Sequence, residues 1–125
     1  MVKNRVLVFD SYHYFSRFLK YEFKDIKFIT GEKEAILYKN EVYSDFSLIV
    51  FVFYSEENLL DLLRLYAYGV NILVCNHSPK FENKFRNIEN IGVLDCFEPK
   101  KAYRSNLHLY FDKLFYTEKE DRFRE

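Results

Sequence analysis

Tryptophan is absent from this chain, and glycine (3), proline (2), cysteine (2) and methionine (1) are scarce. So little glycine and proline excludes a collagen-like or low-complexity chain. Cys75 and Cys96 lie far apart, each inside an apolar stretch. They read as small core residues with buried free thiols, not as a CxxC redox or metal pair. No apolar run approaches the roughly 20 residues a membrane helix needs, and no basic-then-apolar leader opens the chain. A cytoplasmic protein is therefore expected. An excess of charge of one sign is missing too: Lys plus Arg and Asp plus Glu both total 19. A general grip on nucleic acid calls for a basic excess, so nucleic acid is not an expected partner.

What remains is a chain of 125 residues, 49% apolar and 30% charged, which is a globular balance. At this length roughly two-thirds of the unfolded surface is buried, enough for one core. The 14 Phe and 11 Tyr make up 20% of the chain, more rings than one core needs to hold. Some should form a contact surface, since rings supply area at low entropy cost; an AT-rich genome's compositional bias is the alternative.

Arg5-Val-Leu-Val-Phe9 is an apolar strand ending at Asp10. Tyr14, Phe15, Phe18, Leu19 and Phe23 follow at helical spacing, predicting a helix near 12–23. Residues 26–30 read as a short strand closed by Gly31, and a short helix fits 32–39. Phe46 to Phe53 is the most apolar run, the mark of a strand covered on both faces. Ser55 is a candidate N-cap for a helix whose inward stripe is Leu59, Leu62, Leu63 and Tyr66, stopping at Gly69. Residues 71–75 form a fourth strand. A turn at 76–79 leads to a short helix carrying Phe81 and Phe85, and 91–95 is a fifth strand. A final helix over about 101–116 carries Tyr103, Leu107, Tyr110, Phe111, Leu114 and Phe115. The alternation predicts an α/β fold: a three-layer αβα sandwich with a five-stranded parallel sheet and right-handed crossovers. Residues 1–116 form the domain, and 117–125 a charged tail expected to fray.

The order and length of these elements resemble a bacterial response-regulator receiver, the CheY-like or flavodoxin-like arrangement. Asp10 closing strand one, the apolar third strand, Tyr68-Gly69-Val70 before strand four and Phe97-Glu98-Pro99 after strand five carry the likeness. The resemblance implies strand order 2-1-3-4-5 and a site at the carboxyl ends of the strands. It also implies chemistry that the residues do not supply. Two adjacent acids normally follow strand one, whereas here Asp10 is followed by Ser11. Counting back from Leu62-Leu63 puts the phosphoacceptor position at Phe51 or Val52, neither of them a carboxylate. The hydroxyl position ending strand four matches Asn76, and the lysine before proline matches Glu98, a reversal of charge. Aspartyl phosphorylation needs a nucleophile, an oxygen-held cation and positive charge, so this pocket reads as degenerate.

No phosphate-cradling glycine motif is present. His13, His77 and His108 are scattered, and no serine sits in a triad pattern, so no catalytic residue, metal or cofactor is expected. The resemblance places the partner or dimer surface on helix four, strand five and helix five. The candidate residues are Phe97, Lys101, Tyr103, Arg104, His108, Tyr110 and Phe111. The resulting reading is a phosphorylation-independent pseudoreceiver: a protein-interaction module in signalling, a candidate homodimer, and not an enzyme. The alternative is a small flavodoxin-like ligand-binding domain or enzyme using the crevice around Asp10, Tyr12, Tyr54 and Asn76. Phe53 or Tyr54 filling the phosphate position favours docking; an open crevice lined by those residues favours the ligand.

Overall fold

The computed structural model describes residues 5–32 and 43–124, with side chains through residue 115. Five strands form one parallel sheet: β1 (Arg5–Phe9), β2 (Lys27–Thr30), β3 (Leu48–Phe53), β4 (Ile72–Asn76) and β5 (Ile91–Asp95). Their spatial order is β2-β1-β3-β4-β5, the expected order, with Phe9 in register with Phe51 and Phe53 with Asn76. The helices described are α1 (Tyr14–Glu22), α2 (Leu59–Tyr66) and α3 (Lys100–Arg124). The helix expected over 32–39 falls almost entirely outside the described residues.

Alternation along the strands builds two cores. Val6, Val8, Val50, Val52, Leu73 and Cys75 face one side, where α1 and α3 cover them with Leu19, Leu107 and Phe111. Leu7, Phe9, Ile49, Phe51, Phe53 and Val74 face the other, covered by Leu62 and Leu65 of α2 together with Phe85. All six residues of β3 are buried, as a strand apolar at every position requires. Each such side chain contributes about 1.5–3 kcal/mol on burial.

Gly31 lets the chain leave β2 beneath Phe9, whose ring a Cβ there would overlap. At Gly69, φ is +75°, the left-handed turn expected after α2.

Several expected faces are corrected. Tyr14 is exposed and α1 turns Phe15, Ser16 and Leu19 inward, because the chain coils through residues 11–13 before helical geometry begins. On α2 the buried pair is Leu62 and Leu65, while Leu63 is exposed. β3 begins at Leu48, since Tyr43–Asp45 form a 3₁₀ turn that delivers Phe46 and Ser47 to it. β4 runs on to Asn76, one residue past the expected 71–75, and the same residue opens the turn that follows, its Oδ1 accepting the Ser78 N–H. No α-helix forms around Phe81 and Phe85. A 3₁₀ turn covers Pro79–Phe81, and then Asn83, Asn87 and Asn90 adopt φ of 66°, 63° and 69°, which a right-handed helix cannot contain. The two rings still go inward, edge-on to Phe53 at 4.8 and 5.0 Å. At the carboxyl end, the α3 backbone stays helical to Arg124, through the segment expected to fray.

Candidate functional site: a closed strand-end crevice

Asp10 follows β1 and is buried. Its Oδ2 accepts the backbone N–H of Ser16 at 2.8 Å, and its Oδ1 accepts that of Tyr12 at 3.2 Å. The carboxylate therefore shapes the entry into α1, where His13 takes the left-handed φ of 65°. Its third partner comes from across the sheet: the Tyr54 hydroxyl donates to Oδ1 at 2.6 Å.

Tyr54 follows β3 directly, and the chain beyond it holds it in place. Its N–H donates to Asn58 Oδ1 at 2.8 Å, and the same oxygen accepts the Ser55 N–H at 3.3 Å. The Tyr54 ring stacks on His77 at 4.9 Å and meets the edge of Tyr12 at 4.7 Å. His77 in turn donates its backbone N–H to Phe53 at 2.7 Å and lies edge-to-face with Phe15. Burial first, and then the bond to Asp10, pushes the Tyr54 phenol well above its ordinary value. The phenol thus remains an O–H donor, and the Asp10 oxygens accept three donors from the chain itself.

Phe51 and Val52, the positions reached by counting, do not enter this crevice. Phe51 is buried on the α2 side of the sheet and Val52 on the α1 and α3 side. The residue that reaches Asp10 stands two or three places later because β3 runs to Phe53 before its end opens toward the rim. Asn76 is buried at the end of β4. Its Oδ1 accepts the Ser78 N–H at 2.9 Å, and its Nδ2 has no hydrogen-bond partner among the described residues. Glu98 is exposed and lies outside the crevice, on a groove beside β5.

The hollow that does open at this end, of about 550 Å³, is lined by Ser55, Glu56, Glu57, Ser78, Lys80 and Phe81. Asp10, Tyr12, Tyr54 and Asn76 do not line it. Glu56 pairs with Lys80 at 3.6 Å across its mouth, both side chains well exposed. Among the described residues, no three His, Cys, Asp or Glu side chains group as metal ligands.

Cys75 and Cys96 are free and buried, as expected. Burial pushes the Cys75 thiol up, while hydrogen bonding from Cys75 and then His77 draws that of Cys96 down.

The proposed interaction residues divide. Phe111 is core, stacked on Phe115 and edge-on to Phe23 at 4.8 Å. Tyr103 packs between Phe15 and Phe18. Arg104 Nε and His108 Nε2 both reach Glu22 Oε2 on α1, at 2.6 and 2.7 Å. These side chains staple α3 to α1 and do not form a free stripe. Lys101 remains exposed and Phe97 half-buried. Tyr110 lies on the opposite side of α3 from Arg104, beside Leu109, in the groove along β5. Sequence reasoning missed Glu22, Arg86 and Leu109. Leu109 carried the one available signal, an aliphatic residue outside the inward stripe of its helix, and it is 64% exposed.

No family model, curated protein or solved structure matches this chain. No helix among the described residues is long and apolar enough to cross a membrane.

Proposed function

We propose that this chain is a receiver-like protein-interaction module that works in the cytoplasm without phosphotransfer or catalysis. The observation carrying this reading is the 2.6 Å bond from Tyr54 to Asp10, which fills the strand-end crevice with an aromatic side chain of the chain itself. A phosphoswitch needs a carboxylate nucleophile and a second oxygen ligand for its cation there. The crevice offers one carboxylate whose oxygens already accept three donors. Output then has to come from a surface that docks another polypeptide.

The test is a two-dimensional amide NMR titration with magnesium and beryllofluoride, a mimic of aspartyl phosphate. Shifts localised to no site are the expected result. Saturable shifts around Asp10, Tyr54 and Asn76 would show a working anion or cation site and overturn the reading.

A further inference from the structure

β5 is the outer strand of the sheet, and its hydrogen bonding to β4 fixes which of its backbone groups are free. Ile72 donates to the Asn90 carbonyl at 2.9 Å, and the Cys96 N–H donates to the Asn76 carbonyl at 2.7 Å. Even-numbered residues from 90 to 96 therefore address β4. Odd-numbered residues Ile91, Val93 and Asp95 turn their main-chain groups to the open edge. Ile91 N–H is taken by the Ile88 carbonyl at 3.1 Å, which leaves the Ile91 C=O and both main-chain groups of Val93 and of Asp95 without a partner among the described residues.

Exposed edges of this kind are normally blunted by Lys, Pro or a bulge, or are covered by a helix. β5 reads Ile-Gly-Val-Leu-Asp and contains neither Lys nor Pro. The short helix expected around Phe81 and Phe85 is replaced by a 3₁₀ turn and the asparagine turns. Beside the strand runs a groove of about 580 Å³ with Val93, Leu109 and Tyr110 in its walls.

Two copies related by a two-fold through Val93 would set the Ile91 acceptor of each against the Asp95 donor of the other, and their charges are complementary in the same sense. α3 runs back along β5, since the Tyr110 hydroxyl lies 3.3 Å from where a Cβ on Gly92 would stand. Lys113, one turn further, therefore sits toward the Ile91 end. At the other end Arg86 is paired with Asp95 at 2.8 Å, which leaves Glu98 as the remaining charged residue lining the groove there.

From this we propose that β5 pairs antiparallel with β5 of a second copy, centred on Val93, joining two sheets into one of ten strands. Val93 exchanges both main-chain bonds with its counterpart, and the Asp95 N–H of each copy meets the Ile91 carbonyl of the other. Lys113 of each copy faces Glu98 of the other. The inference deepens the interaction-module reading and rests on it only for its purpose; the pairing itself concerns a different edge of the molecule.

The experiment is sedimentation equilibrium on the full chain, wild type and V93P, over a concentration series. Proline at this position removes only an outward N–H, which an edge strand tolerates. The wild type should reach a dimer, and V93P, losing two intermolecular bonds per dimer, should dissociate about tenfold or more readily with its amide spectrum otherwise native. Should V93P fail to fold, the charge pair decides. K113E and E98K should each weaken the dimer, and the double variant should restore it. A wild type monomeric at millimolar concentration, or a dimer indifferent to V93P and to charge reversal, would overturn the proposal. A silent beryllofluoride titration alongside a monomer would leave the phosphorylation-independent reading standing and remove the dimer alone.

Discussion

The carboxyl ends of β1, β3 and β4 and the outer edge of β5 are opposite cases within one sheet. At the strand ends, the Asp10 carboxylate takes donors from Tyr12, Ser16 and Tyr54, and the Tyr54 ring is held between Tyr12 and His77. At the edge, a strand with no charged or proline gatekeeper within its first four residues leaves alternate backbone groups unpaired beside an exposed leucine. Open α/β sheets usually place ligands at the strand ends. Here the Asp10 carboxylate is satisfied by the chain itself, with Asn76 Nδ2 and His77 Nε2 the buried groups there that lack a partner among the described residues, while at the edge a row of main-chain groups is free. The difference teaches that a recognisable fold does not fix where its function sits.

The strongest way to break this comparison is to remove the Asp10 carboxylate. Asp10→Ala leaves two backbone N–H groups and the Tyr54 hydroxyl without their acceptor. It should cost about 3–5 kcal/mol in urea unfolding. If the two regions are independent, the dimer dissociation constant of the folded fraction should not change. A loss of association in this variant would tie the edge to the crevice.

Tyr54→Phe makes a narrower cut, keeping the ring and removing only the phenol. One hydrogen bond to a charged group should be worth about 1.5–3 kcal/mol, read as a lower urea midpoint at unchanged slope. A change under about 0.5 kcal/mol would mean that ring packing, and not the bond to Asp10, closes the crevice.

Most of the sheet was legible from residues alone, and for a physical reason. Parallel strands covered on both faces are apolar at every position, so β1, β3 and β4 stand out as unbroken runs. Short strands alternating with helices then leave few topologies. Helix faces were harder. Tyr14 and Leu63 fit an apolar stripe as well as their neighbours do, and only the start point of each helix decides that they face out. The stretch from Phe81 to Asn90 carries apolar spacing, yet three asparagines in left-handed geometry override it. At the site, Asp10 was found because it ends a strand. Tyr54 was identified as a crevice residue, but counting from the following helix placed the acceptor position at Phe51 or Val52. A count along the chain cannot see how far β3 extends before its end turns to the rim. Glu22 escaped because its partners lie more than eighty residues away in sequence.

The smallest expected effect concerns the staple that keeps one side of α3 occupied while its other side lines the β5 groove. Glu22 Oε2 accepts from His108 and Arg104, and those bonds hold its carboxyl below the usual carboxylate range, the His108 bond contributing most. A group whose folded pKa is depressed stabilises the fold above its unfolded pKa and loses that contribution as pH falls through the folded value. The advantage of wild type over Glu22→Gln should therefore be present at neutral pH and should fade below about pH 4. Because the Arg104 side chain is 57% exposed, salt should shrink the difference at neutral pH as well. Thermal melts of both proteins at neutral and acid pH, in low and high salt, measure this directly. A difference constant across pH and salt would mean that Glu22 holds α1 to α3 by packing alone, and Arg104 and His108 would then be free to serve a partner.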